Sequence, residues 1–199
     1  MNRVAEFEKV SFEQFYEAMK DFYNYKDLAE SIVREIYDNI QLPNRATSGS
    51  AGYDFKSPIP FVLRPGCSIK IPTGIRVKIV NGWWLGCLPR SGLGFKYRLQ
   101  LDNTMGVIDS DYYGSDNEGH IFVKATNDTN SDKIVEIKAG DGFVQGIFIP
   151  FGITYDDDAD GIRNGGFGST SVPGVIELGQ NTSFAEETNR YHSNEKKNR

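Results

Sequence analysis

Cysteine, histidine and methionine are scarce in this sequence, and long apolar runs are missing altogether. The two cysteines, Cys67 and Cys87, stand in separate strand-like stretches, and the two histidines are His120 and His192. Neither cysteine belongs to a CxxC pair, so the side chains for a Cys/His zinc centre are not there. Two thiols without a secretory leader set the expectation of a reduced, cytoplasmic protein. No apolar stretch approaches the length of a membrane-spanning helix, so no membrane partner is expected. Positive charge is also short: 22 Lys and Arg against 27 Asp and Glu leave a formal net charge of −5. Nucleic acid therefore gains nothing from the overall field. An anionic ligand must be met by a local cluster of donors, helped by a cation. The sequons at Asn127 and Asn181 carry no weight without export.

Glycine and aromatic residues are plentiful, at 21 Gly and 13% Phe, Trp and Tyr. That composition favours many short strands and tight turns over a helical bundle. A chain of 199 residues holds one packed domain with additions, and is short for two.

Three regions follow one another. RVAEFEKVS alternates like a strand, and Ser11 then opens a helix, with Gln14 completing a capping box and Val10 stapling against Phe15. Phe12, Phe15, Tyr16, Met19 and Phe22 recur at helical spacing and form one apolar face. A second helix is expected from a capping box of Asp27 and Glu30. Leu28, Ile32, Ile36 and Ile40 recur along it until Pro43 stops it. These stripes are expected to pack on the main domain or a neighbouring subunit. From about residue 44 the period changes to two: Ile75, Val77 and Ile79; Ile121, Val123 and Ala125; Phe143, Gln145, Ile147 and Ile149. Gly, Pro, Asn and Asp clusters punctuate these runs, which is the pattern of an all-β barrel or jelly roll. From Val172 onward the chain is polar and ends in NEKKNR, as a mobile tail does.

Taken singly, the candidate motifs are weak. GGFGST (Gly165–Thr170) offers amides for an anion nest, but it lacks the Lys and the strand-to-helix setting of a P-loop. PRSG (Pro89–Gly92) suits phosphate and suits a turn equally well. GVIDSDYYG (Gly106–Gly114) reads as a hairpin with two carboxylates and two tyrosines. The acidic run Asp156–Asp160 fails as a calcium loop, because Phe167 falls where a bidentate Glu is required.

Order and combination change the reading. AGYDF (Ala51–Phe55), PRSGL (Pro89–Leu93), GVIDSDYYG, DGFVQ (Asp141–Gln145) and RNGGFGST (Arg163–Thr170) occur in that sequence. The set resembles the five ordered motifs of the trimeric dUTPase family over roughly residues 41–171. The resemblance implies a jelly-roll-like dUTPase β-barrel, with residues 11–42 as a helical addition. The barrel core would span about 44–155, a flexible arm about 160–171, and the tail 172–199. It also implies Mg²⁺-dependent hydrolysis of dUTP to dUMP and pyrophosphate, which keeps uracil out of DNA and supplies dUMP for dTMP synthesis. A homotrimer with composite sites would carry the reaction.

Cleaving a triphosphate at its α-phosphorus needs an aligned water, a base, and neutralised phosphates. By resemblance Asp109 is the base, Gln145 sits beside the α-phosphate, and Asp54 meets the metal through its water shell. Mg²⁺ itself would be held mainly by the triphosphate. Arg90, Ser91 and Gly92 match phosphate contacts of the second motif. Arg163, Gly168, Ser169 and Thr170 match the clamp of the fifth. Uracil would be read by a hairpin from about Asn103 to Tyr112, through Asn103, Gly106, Val107 and Ile108. Tyr112 would lie under the deoxyribose, and Phe167 would cover the base.

The chain departs from the family in places. RNGGF has one residue fewer between Arg163 and its glycine pair than the common form, and Ser171 stands where Gly is usual. Gly142, Phe143 and Gly146 vary the fourth motif.

Two other readings remain. A dCTP deaminase-type enzyme shares the fold, but the GVID aspartate and the GGFGST arm are intact here. A nucleotide-responsive regulatory protein would require Phe12, Phe15, Tyr16, Met19 and Phe22 to be exposed as a patch.

Overall fold

Alternating side chains fold into short antiparallel strands in the structure, a computed structural model that describes residues 2–163 and 165. The chain runs β1 (Ala5–Lys9), α1 (Phe12–Tyr23), α2 (Glu30–Asp38), β2 (Tyr53–Lys56), β3 (Phe61–Leu63), β4 (Ser68–Pro72) and β5 (Ile75–Ile79). It continues through β6 (Trp83–Pro89), α3 (Ser91–Tyr97), β7 (Leu99–Leu101), β8 (Gly106–Ile108) and a 3₁₀ turn (Ser110–Gly114). The last described strands are β9 (Phe122–Asn127), β10 (Val135–Ile137) and β11 (Gly142–Pro150).

The strands form four separate sheets among the described residues: β1-β5, β10-β3, β2-β11-β6-β8 and β4-β9-β7. This is the jelly-roll-like, mostly β architecture that the alternation predicts, with ladders that stay distinct and do not close into one barrel. Ile75, Val77 and Ile79 of β5 are buried, as are Ile121, Val123 and Ala125. The third run behaves differently. A register shift between Gly142 and Val144 interrupts pairing with β2, and Phe143 and Val144 are both fully buried. A bulge of this kind changes the phase of a strand. Gln145 is therefore released from the core and lines a cavity.

The N-terminal segment packs on the sheets. Phe12, Phe15, Ala18 and Met19 of α1 are buried, and Phe15 has no exposed surface. Half of the expected capping box forms, with the Gln14 amide donating to Ser11 Oγ at 3.1 Å. The Ser11 amide goes elsewhere, to Glu118 Oε2 at 2.7 Å.

The second helix starts later than the Asp27 box predicts. Its N-cap is Ala29, without a side-chain cap. The Leu28 carbonyl is already taken by the Tyr16 hydroxyl at 2.7 Å, which holds the chain out of helical geometry there. Of the Leu28–Ile32–Ile36–Ile40 stripe, Ile40 is buried and Leu28 and Ile36 pack against the core, and only Ile32 departs. Val33 is buried while Ile32 is largely exposed, and Tyr37 reaches the Val10 carbonyl at 2.7 Å. With Phe12, Phe15 and Met19 inside, the exposed aromatic patch required of a partner surface is not there. No helix among the described residues is long and apolar enough to cross a membrane.

Candidate active site

Sheet register brings three of the sequence motifs together. Gln145 of β11 lies opposite Asp54 of β2 on one side and opposite Leu88 of β6 on the other. β6 ends at Pro89, so Arg90 emerges beside them as the N-cap of α3, and Ser91 and Gly92 open the helix. These residues line a cavity of about 540 Å³ with Ser50, Glu136 and Asp141.

Arg90 is fixed by two contacts. Its Nε lies 3.1 Å from Asp54 Oδ1, and its Nη1 donates to the Gly142 carbonyl at 3.0 Å. The Gln145 amide donates to the Pro89 carbonyl at 3.3 Å. Two glycines make room for this arrangement. A Cβ at Gly142 would stand 2.7 Å from Arg90 Nη1, and one at Gly52 would stand 2.6 Å from Gln145 Oε1.

A second cavity, of about 430 Å³, lies along the β6-β8 pair. Cys87 faces Gly106 in that ladder. The expected hairpin does not form, because β7 pairs with β9 and β8 with β6, and the chain passes between the two sheets through Thr104 at φ +64°. Asn103, Gly106 and Ile108 line the cavity with Cys87, Leu101 and Phe122. Lys70, Asp102 and Lys124 supply its charged groups. Burial pushes the Cys87 thiol up to about 12, so it acts as an inert apolar wall. Val107 projects outward and is exposed. The two cavities have no lining residue in common.

Asp109 caps the 3₁₀ turn that follows β8. Its carboxylate accepts from Arg163 Nη2 at 2.5 Å, and Asp111 accepts from Arg163 Nε at 2.8 Å. Tyr112, one turn on, is buried. Its hydroxyl donates to the His120 carbonyl at 2.8 Å and accepts from Asn117 Nδ2 at 2.8 Å. Burial raises the pKa of this phenol above its ordinary value, so it stays protonated.

The family model described as dUTPase matches residues 38–171. The chain belongs to the dUTPase family. A deoxyuridine 5'-triphosphate nucleotidohydrolase of Lactococcus lactis is 40% identical over 136 residues, covering 67% of this chain and 89% of that protein. One from Hahella chejuensis is 36% identical over 153 residues, covering 73% and 96%. Among solved structures, the Streptococcus mutans dUTPase aligns with a TM-score of 0.54 at 34% identity, covering 74% of this chain and 97% of that one. The dUTPase from phage phi11 of S. aureus shares the fold with a TM-score of 0.54 at 18% identity, covering 80% and 98%.

Within this dUTPase-family chain, the residues picked out by motif fall into three groups. Asp54, Arg90, Ser91, Gly92 and Gln145 converge on the first cavity. Asn103, Gly106 and Ile108 line the second. Asp109 and Arg163 meet each other, and they, Val107 and Tyr112 lie outside both linings. Phe167, Gly168, Ser169 and Thr170 lie outside the described residues, as does the stretch 172–199. Motif reading missed Lys70, Cys87, Leu101 and Phe122 in the second cavity. It also missed Glu8, Arg76 and Glu118 around the 3₁₀ turn. Strand register and long-range pairing place all seven, and neither leaves a local mark in the sequence.

Proposed function

We propose that this chain hydrolyses dUTP to dUMP and pyrophosphate with the help of Mg²⁺, as a homotrimer whose active sites form between chains. Membership of the dUTPase family supports the reaction. The observation that carries it to this chain is the convergence of Asp54, Arg90, Ser91, Gly92 and Gln145 on one cavity. Removing dUTP keeps uracil out of DNA and supplies dUMP for dTMP synthesis.

In this reading the first cavity takes the triphosphate. Arg90, Ser91 and Gly92 donate to phosphate oxygens, and the Gln145 amide lies beside the α-phosphate. Donors already aimed at charge that grows in the transition state lower the barrier without reorganising. Water attacks the α-phosphorus in line, the bond to the β-phosphate oxygen breaks, and pyrophosphate leaves. Asp109 orients that water and accepts its proton. Arg163 can reach the γ-phosphate only by leaving Asp109 and Asp111, so its transfer to the nucleotide would also free the base. Gly168, Ser169 and Thr170 would complete the clamp.

The donor set fits a metal brought in with the substrate. Among the described residues no three His, Cys, Asp or Glu side chains gather into a cage, whereas Asp54 supplies a hard carboxylate on the phosphate-side wall. Mg²⁺ takes one or two carboxylates with phosphate oxygens and water. When bound, it shields phosphate charge and fixes the triphosphate conformation.

The second cavity takes the base. Backbone groups of Gly106, Val107 and Ile108 and the Asn103 amide can satisfy the polar edge of uracil, and Phe167 would cover its face. Cytosine presents a donor where uracil presents an acceptor, leaving a buried group unpaired. Tyr112, held through its hydroxyl, would lie beneath the deoxyribose and leave no room for a 2′-hydroxyl.

Two observations favour assembly between chains. The triphosphate and base cavities share no residue on one chain. Beyond β11 the chain also leaves Phe151, Ile153, Tyr155 and Ile162 exposed, an apolar run that suits burial against another copy. A C₃ ring of identical chains closes with three equivalent sites.

The direct test is pyrophosphate release from dUTP by the intact chain and by Asp109→Asn. Turnover by the first, with loss in the second at unchanged affinity for a non-hydrolysable dUTP analogue, is expected. Equal turnover by both would remove Asp109 from the reaction.

A further inference from the structure

The 3₁₀ turn that begins at Asp109 is held from outside its own motif by the N-terminal segment. Glu8 Oε2 of β1 accepts from the Tyr113 hydroxyl at 2.8 Å, and from Arg76 Nε and Nη2 at 3.0 and 2.7 Å. The Arg76 guanidinium also lies 4.5 Å from the centre of the Tyr113 ring. A second tie follows at once in the sequence. Ser11, the N-cap of α1, gives its amide and hydroxyl to the two Glu118 oxygens at 2.7 and 2.6 Å.

Both ties grip a segment that has little slack. Gly119 sits at φ +69°, and a Cβ there would stand 2.8 Å from the Tyr112 carbonyl oxygen and 2.8 Å from Tyr113 Cα. Glu118 itself is in the left-handed region at φ +58°, a conformation that a non-glycine residue keeps only when its surroundings enforce it. Tyr112 is locked to His120, whose ring accepts from the Gly74 amide at 2.8 Å. The Gly74 carbonyl in turn accepts from Val10 at 3.0 Å.

We propose that Tyr113 and Glu8 are positioning residues for catalysis, joining the N-terminal segment to the turn that carries Asp109 and Tyr112. Neither touches the substrate. Tyr113 follows Tyr112 directly, so its anchored hydroxyl fixes the rotation of the turn. That rotation sets where the Asp109 carboxylate and the Tyr112 ring stand. The charge of Glu8 is secured by Tyr113 first and Arg76 next, which together lower its pKa from the ordinary carboxylate value. The anchor is therefore ionised wherever a phosphate-cleaving enzyme works near neutral pH. This assignment gives β1 and the start of α1 a task in the reaction, and it rests on the dUTP reading above.

The test compares Tyr113→Phe, Glu8→Ala, Glu8→Gln and the double variant Glu8→Ala/Tyr113→Phe. Tyr113→Phe removes one oxygen and keeps the ring, so it remains foldable if the alanine variant does not. For Tyr113→Phe and Glu8→Ala, kcat for pyrophosphate release should fall about tenfold, with KM within about twofold, because misplaced groups cost rate more than binding. The double variant should be no worse than either single one, as expected for two halves of one contact. Glu8→Gln, whose amide oxygen still accepts from Tyr113, should recover most of the rate. Amide hydrogen exchange at residues 109–114 should quicken in Tyr113→Phe while exchange in β3 stays unchanged, a readout that does not depend on turnover. Unchanged kcat and unchanged exchange in a folded Tyr113→Phe would overturn the proposal, as would losses that add in the double variant. Failure of the parent chain to hydrolyse dUTP would count against the function, and the exchange result would still decide whether the turn is braced.

Discussion

Single residues carry the chemistry, and their surroundings set what each can do. Asp109→Asn keeps the shape of the proposed base and removes its capacity to take a proton. The loss expected in kcat is about 100- to 10,000-fold, the range for a general base. Steady-state kinetics beside analogue binding will separate this from lost affinity. Gly142→Ala tests the opposite kind of residue, one that acts by having no side chain. Its Cβ would press on Arg90 Nη1 at 2.7 Å, so KM for dUTP should rise while the melting temperature changes little.

His120 supplies a pH signature. Its Nε2 accepts from Gly74, which leaves the proton on Nδ1, buried and without a partner among the described residues. Burial, and Lys70 next, push its pKa down to about 3 from 6.5. Between those values the unfolded chain binds a proton that the folded chain refuses. Stability should therefore fall as pH drops below about 6.5, with a slope near 1.4 kcal/mol per pH unit. Urea melts at pH 7 and pH 5 will show it, and His120→Gln should flatten the difference.

Elements decide which of these residues meet. Three neighbouring strands, β2, β11 and β6, bring the first, fourth and second motifs to one cavity. The motif order made those residues legible in the sequence, but the register that joins them appears only in the fold. Local signals were read correctly where one turn of chain contains them. Ser11 caps α1 as its side chain predicts, and Ile75, Val77 and Ile79 alternate into the core. The expected start of α2 at Asp27 gave way to a distant contact, the Tyr16 hydroxyl on the Leu28 carbonyl. The contact between Glu8 and Tyr113 spans 105 positions, and no window of sequence contains both. The helices also have a measurable structural weight. Phe15 is fully buried against Gly74 and His120, so Phe15→Ala should cost about 3–5 kcal/mol. Denaturant midpoints will read that loss.

At the scale of the whole molecule, the separation of the two cavities has a direct consequence. If the triphosphate cavity of one chain serves the base cavity of another, two different inactive chains should repair each other. Arg90→Ala chains lack the proposed phosphate donor, and Asp109→Asn chains lack the proposed base. The proposed trimers, reassembled from a mixture of the two, should regain dUTP turnover that neither has alone, because some sites then draw both intact residues from different chains. Absence of any gain in verified mixed trimers would place the whole site within one chain.

The central claim, a dUTP-specific diphosphatase, is tested most directly by pyrophosphate release from dUTP, dCTP, dTTP and UTP, each with and without Mg²⁺. Release from dUTP with Mg²⁺, and little from the other three, is the expected result. Comparable hydrolysis of dCTP or UTP, or ammonia released from dCTP in place of pyrophosphate from dUTP, would contradict it.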